Sequence, residues 1–253
     1  REKDREFWRN EVKSIEEIAE VQIYKSGYKP NNNKGIEEVG ELLVSLNDNE
    51  SQAIREIAND NGITVSDVIL CAWLKLIGEY SCSEKVITGV TVSGREVAID
   101  GIENMLGLFI NTLPLHIDME EKTIIEALKK VHSKVRNANE HSSIGLSEIQ
   151  ELSGLKVPLV NLIYVFENYP IQEKNSDTRL HMSNVQGFEK VNYALCMTVN
   201  EEDKKVIIQI NYDRKALTQE VTEKIGEHIR RIVRAFCRNP KSKIAEIEMM
   251  TER

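Results

Sequence analysis

Hydrophobic positions recur along this chain with periods of about 3.6 and 2, and the changes of period mark out its elements. Asp4-Arg5-Glu6-Phe7-Trp8 reads as a helix already under way near the first residue. Residues 25 to 35, with Pro30 and three consecutive asparagines, predict a surface loop. Leu42, Val44 and Leu46 alternate toward one face, which predicts a strand. Residues 48 to 61 place Ile54, Ile57 and Ala58 on one stripe and end at Asn61-Gly62, a helix with a C-terminal stop. Thr64-x-x-Asp67 has the spacing of a capping box, with Asp in the place usually held by Glu. It opens a helix whose apolar stripe runs through Val65, Val68, Ile69, Ala72, Trp73, Leu76, Ile77 and Tyr80. Leu70, Cys71 and Leu74 widen that stripe, so the helix is expected to be buried on two sides with Trp73 in the core.

The next stretch, Thr88 to Leu115, organises the rest. Val86, Ile87, Val90 and Val92 are β-branched at one end, and Leu108 to Leu115 is almost continuously apolar at the other, so both ends predict buried strands. Between them lie Ser93-Gly94-Arg95, an acidic-flanked segment, and Gly101 and Gly107 bracketing Ile102 to Leu106. A connection this long, with glycines at its ends, predicts a working loop. A helix from about Thr123 to Asn139 follows, with Ile124, Leu128, Val131 and Val135 inside and Lys129, Lys130, Lys134 and Arg136 on a solvated face. A short helix to Leu152 and an apolar strand from Leu159 to Tyr164 come next. Residues 171 to 187 are polar and irregular and predict an arm leaving the body of the domain. Strands near Tyr193–Val199 and Val206–Tyr212 are joined by the turn-like Glu201-Glu202-Asp203-Lys204. The last helix starts at Thr218, buries Val221, Ile225, Ile229, Ile232, Val233 and Phe236, and stops before Pro240. Strands separated by long helices imply one domain of α/β (α+β) sandwich class, a mixed sheet covered by helices.

Composition narrows the function classes. With 253 residues, 41% of them hydrophobic, the chain can bury a sizeable core. A net charge of −8 argues against nucleic acid or an anionic membrane as partner. No apolar run approaches the roughly 18 residues of a membrane span, and the charged start is no signal peptide, so the cytoplasm is the expected location. Beginning at Arg1, the chain reads as an excised or processed piece. Cys71, Cys82, Cys196 and Cys237 lie far apart without CxxC spacing and are expected to be reduced.

The motifs for phosphate loops, dinucleotide folds, zinc hydrolases and serine hydrolases are all missing. His116, His132, His141, His181 and His228 have no metal-ligand spacing, so no metal is expected. His141-Ser142-Ser143 is expected to serve a loop, because adjacent residues seldom turn their side chains toward each other. Asn111, polar within an apolar segment, must find hydrogen bonds where it is buried.

Ser93-Gly94-Arg95, Gly101-Ile102-Glu103, Met105 and Gly107-x-Phe109-x-Asn111-Thr112 resemble the fifth core motif of nonribosomal peptide synthetase condensation domains. Gly145 to Gln150, Val165 to Pro170, Asn192-Tyr193, Asn239-Pro240 and the Met249 to Arg253 end resemble the same family in the same order, so the resemblance covers nearly the whole chain. Two departures stand out. Ala194 replaces the family's Pro after Asn192-Tyr193, and His141-Ser142-Ser143-Ile144 replaces a His-Gln and an aromatic. Leu108-Phe109-Ile110-Asn111 lacks the Trp-Phe-Thr of epimerization members, so condensation is the better match.

The resemblance implies the second lobe of a chloramphenicol-acetyltransferase-like pair, with the substrate tunnel between lobes. The HHxxxDG histidine motif belongs to the first lobe and is absent here. No catalytic residue is therefore assigned, and the chain alone is expected to be inactive. The implied substrates are aminoacyl and peptidyl thioesters carried on the phosphopantetheine of carrier proteins, with no cofactor bound directly. The implied partners are the upstream lobe, peptidyl carrier proteins and an adenylation domain. Ser93, Arg95 and Asn111 are the candidate substrate-binding residues; Gly94, Gly107, Phe109 and Thr112 are the candidate tunnel floor. Two roles stay open for Ser93, a hydrogen bond to the acceptor amine or a turn contact to nearby backbone. Arg95 either holds the loop through Glu103 or Asp100 or contacts substrate. The alternative function is a non-catalytic docking module for carrier or adenylation domains.

Overall fold

The computed structural model describes residues 1–30, 35–95, 101–119, 122–167 and 192–249. The expected arm at 171–187, together with His181, lies outside them.

The β-branched run read from the sequence becomes β2 (Lys85–Val92), which is hydrogen-bonded on both sides. It pairs antiparallel with β3 (Asn111–Asp118) and parallel with β4 (Leu162–Glu167). The sheet extends from β4 to β5 (Leu195–Glu202), parallel, then to β6 (Lys205–Asp213) and β1 (Val39–Ser45), both antiparallel. The order is β1-β6-β5-β4-β2-β3, a six-stranded mixed sheet. Asp203 and Lys204, with φ of 47° and 67°, turn the chain between β5 and β6, the left-handed pair that matches the twist of a tight hairpin.

Alternation along the strands sends side chains into two cores. On one face Val86, Val90, Tyr164, Met197 and Ile208 pack beneath α2 (Asp48–Asn61), α3 (Val65–Ser81), α4 (Ile124–Glu140) and α6 (Gln219–Arg238). On the other, Ile87, Leu113, Ile163 and Cys196 meet Trp8 and Val12 of α1 (Glu2–Lys13) and Ile149 of α5 (Leu146–Ser153). Trp73 lies in the larger core, where its Nε1–H donates to Thr88 Oγ1 (3.1 Å) and Thr88 donates to the Leu162 carbonyl (3.1 Å). Each buried polar atom of that relay is thereby paired. Capping boxes start three helices, at Asn47, Thr64 and Thr123.

The second strand of the organising stretch differs from expectation. It begins at Asn111, not Leu108, because β2 ends at Val92, the partner of Asn111, and Gly94 then turns the chain aside at φ +65°. Among the described residues, those just before Asn111 have no strand to pair with. Leu106, Leu108 and Ile110 are 102%, 91% and 58% exposed. β4 likewise starts three residues after Leu159, with Leu159 and Val160 already buried in the smaller core.

Candidate functional site

An open cleft of about 1090 Å³ lies where β2 and β4 end. Its floor is made by Val90 to Ser93 and by Ile163 to Glu167. Thr64, Ser66 and Asp67 at the start of α3 and His132, Val135, Arg136 and Asn139 of α4 form one wall. Gly107 to Ile110 form another, and Asn192, Tyr193, Cys196 and Thr198 complete the outline. Tyr164 is fully buried at its base and donates to the Ser66 carbonyl (2.9 Å); burial drives its hydroxyl pKa upward.

Ser93, Arg95, Gly107 and Phe109 line the cleft; Gly94, Asn111 and Thr112 do not. Ser93 is exposed, and its Oγ accepts from the Arg95 backbone N–H (3.3 Å), a local turn contact. Arg95 holds the loop through main-chain carbonyls. Its Nη1 donates to the Ile102 carbonyl (2.5 Å), both Nη atoms donate to the Met105 carbonyl (3.1 Å each), and the guanidinium sits 4.5 Å above the Phe109 ring centroid. Gly94 lies under the same loop: a Cβ there would stand 1.9 Å from the Phe109 carbonyl oxygen. Gly107 is tight for a different reason. A Cβ there would meet the Phe109 ring at 3.0 Å, a side chain and not backbone, and its φ is not in the left-handed region.

Asn111 is turned to the opposite side. Its Nδ2 donates to the carbonyls of Ser142 (3.0 Å) and Ile144 (2.8 Å), and its Oδ1 accepts from the Thr112 N–H (2.9 Å). With both amide hydrogens engaged, it braces the α4–α5 connection and does not line the cleft. The same connection is gripped from α1. Phe7 stacks on His141 at 4.1 Å, Trp8 Nε1–H donates to the His141 carbonyl (2.9 Å), and Asp4 accepts from His141 Nδ1 (2.8 Å) and from Ser143. Hydrogen bonds from Ser143 and then His141 hold the Asp4 carboxyl at about 2. His141-Ser142-Ser143 is thus a docked loop, and no base faces a nucleophile within it.

The remaining histidines divide. His228 hydrogen-bonds Tyr80 (2.7 Å) between α6 and α3, and burial lowers its pKa, as it does that of His116 on β3. His132 pairs with Asp67 at 2.8 Å on the cleft wall. The sequence reading missed that pair because Asp67 was accounted for as a cap, and no local spacing links it to a residue 65 positions away. Among the described residues no three His, Cys, Asp or Glu side chains form a metal site, and no disulfide joins the four cysteines. No single described helix is long and apolar enough to cross a membrane.

Fold and site together define a helix-covered α/β body that shapes a cleft from strand ends and an ordered apolar loop. The chain belongs to the condensation domain family, whose model matches residues 1–253. Bacitracin synthase 3 of Bacillus licheniformis is 31% identical over 257 residues, 99% of this chain and 4% of that protein. Surfactin synthase subunit 3 of Bacillus subtilis (strain 168) is 29% identical over 256 residues, 98% of this chain and 19% of that protein. The chain therefore spans a small part of these relatives' length. In fold it is similar to the X-domain from teicoplanin biosynthesis, with a TM-score of 0.82 at 18% identity over 98% of this chain and 57% of that one. A four-domain nonribosomal peptide synthetase bound to AMP and glycine gives 0.80 at 16% identity, over 98% and 20%.

Proposed function

We propose that this chain is the C-terminal lobe of a two-lobed condensation domain in a nonribosomal peptide synthetase. Such a domain joins carrier-tethered aminoacyl and peptidyl thioesters through an amide bond. The supporting observation is the exposed apolar loop at the rim of the cleft, an ordered surface whose side chains have no covering partner among the described residues. Similarity in fold to chains of which this one covers 57% and 58% supports a further lobe. In this reading Gly94, Gly107 and Phe109 shape the tunnel floor, with Thr112 at the head of β3 beneath it. Arg95 stiffens that floor, and Ser93 faces the space in which the acceptor amine would lie. The upstream lobe brings HHxxxDG, and carrier proteins bring substrates on phosphopantetheine. An adenylation domain adjoins, the setting is the cytoplasm, and neither nucleic acid nor membrane takes part.

Amide formation from a thioester requires the amine to lose a proton and the two tethered arms to be aligned. One lobe leaves the cleft open on one side, so the lone chain is expected to give no dipeptidyl product from loaded donor and acceptor carriers. The same chain joined to its upstream half is expected to give it. Product from the lone chain above the uncatalysed background refutes the reading. The alternative of a docking module draws on the similarity to the X-domain solved in complex with OxyB. It predicts that the joined protein also makes no amide while still binding carrier or adenylation domains.

A further inference from the structure

The floor and its apolar loop do not account for the opposite wall of the cleft. Asp67, third residue of α3, is 3% exposed, yet three donors converge on its Oδ2: the Thr64 backbone N–H (2.8 Å), the Thr64 hydroxyl (2.7 Å) and His132 Nδ1 (2.8 Å). A carboxylate only accepts, so Nδ1 carries a ring proton, and in the Nδ1–H tautomer the lone pair sits on Nε2. Among the described residues Nε2 has no partner. The His132 side chain is 33% exposed against 4% for Asp67, and both line the cleft. A strut between α3 and α4 needs only Nδ1. The capping of α3 is shared between Thr64 and Asp67 and does not use the ring, so the second ring nitrogen is unused by the fold.

We propose that His132, oriented by Asp67, is a positioning residue of this cleft, accepting through Nε2 a hydrogen bond from an N–H or O–H of the tethered substrate. The proposal rests on the condensation reading given above. Two parts of such a substrate carry the required donor. The pantetheine arm offers amide N–H and hydroxyl groups, and the aminoacyl end offers its amine.

The test uses chain 1–253 and long-range proton–nitrogen spectra of the histidine rings, titrated separately with pantetheine and with a glycyl thioester of N-acetylcysteamine. The expected result is an Nδ1–H tautomer at His132 whose Nε2 resonance moves saturably with one of the two. Response to pantetheine assigns the contact to the arm, and response to the glycyl thioester alone assigns it to the amine. His132→Asn keeps a donor for Asp67 and removes Nε2, so it should leave Tm unchanged and weaken binding about three- to tenfold, the value of one hydrogen bond. His132→Gln, whose amide reaches the Nε2 position, should recover part of the loss. An Nε2–H tautomer, an Nε2 unmoved by both compounds, or His132→Asn binding as tightly as the native chain overturns the proposal. So does wild-type KM for carrier-bound substrate in a joined, active protein bearing His132→Asn, a result that leaves the condensation reading standing.

Discussion

Three glycines in one loop separate two causes of strain, and Gly94→Ala is the decisive substitution. At Gly94 both causes act. The residue sits at φ +65°, where an L side chain costs about 1–2 kcal/mol, and its Cβ would stand 1.9 Å from the Phe109 carbonyl oxygen. Backbone must move more than an ångström to relieve that contact, and overpacking of this kind costs about 1–3 kcal/mol more. Gly101 isolates the first cause, since it has φ +77° with nothing within 4 Å of an added Cβ. Gly107 isolates a mild form of the second, an ordinary φ with only the Phe109 ring at 3.0 Å. Urea unfolding of the three alanine variants should therefore give losses of about 2–5 kcal/mol for Gly94, about 1–2 for Gly101 and under about 1 for Gly107. In heating experiments a loss of about 3 kcal/mol corresponds to a Tm fall of about 6–12 °C. Hydrogen exchange at Phe109 and Asn111 checks whether strain is released by local opening. Equal midpoints for Gly94→Ala and Gly101→Ala, without faster exchange, would falsify the account of how the loop is held.

Two further predictions concern the bracing behind the loop. Asp4 is held at about 2 against an ordinary 3.8, so its contribution to stability is present above about pH 4 and lost as pH falls toward 2. Asp4→Asn should flatten that part of the acid unfolding curve, and an unchanged curve would show that the pairing with Ser143 and His141 adds nothing. Asn111→Ala should cost about 1–3 kcal/mol by stranding the carbonyls of Ser142 and Ile144. Asn111→Asp should cost more at neutral pH than at low pH, because its carboxylate would face two carbonyl oxygens; a pH-independent loss argues that those contacts open.

Periodicity and caps were legible because they are local. The stripe from Val65 to Tyr80, the box at Thr64 and the stop at Gly62 each follow from a few neighbouring residues, and α3 and the end of α2 appear where they place them. The start of β3 was not legible from its own residues. Leu108 and Ile110 are as apolar as Leu113 and Leu115, and what excludes them from the strand is the end of β2 at Val92, across the sheet. Arg95 shows the same limit at the site. Its contacts to the Ile102 and Met105 carbonyls depend on how the backbone folds back over it, while Asp100 and the Glu103 side chain, the ion-pair partners expected from the sequence, lie outside what is described. His132 and Asp67 meet only through the packing of α4 on α3.

The apolar loop also bears on how the proposed second lobe is held. Met105, Leu106, Leu108 and Ile110 are each at least 43% exposed, while Arg95, Gly94 and Asn111 fix the backbone on both sides of them, so their exposure belongs to an ordered surface. Burying a fully exposed side chain of this kind contributes about 1.5–3 kcal/mol, and the share still exposed on these four makes about 4–9 kcal/mol in all. Bringing two separate bodies together costs about 4–15 kcal/mol in lost translational and rotational freedom. The two ranges overlap, so this loop by itself would hold a free partner weakly at best. Joining the partner covalently removes most of the association cost, and the same four side chains then suffice to close one lobe on the other. A loop built this way fits the proposed arrangement of two lobes carried in one polypeptide.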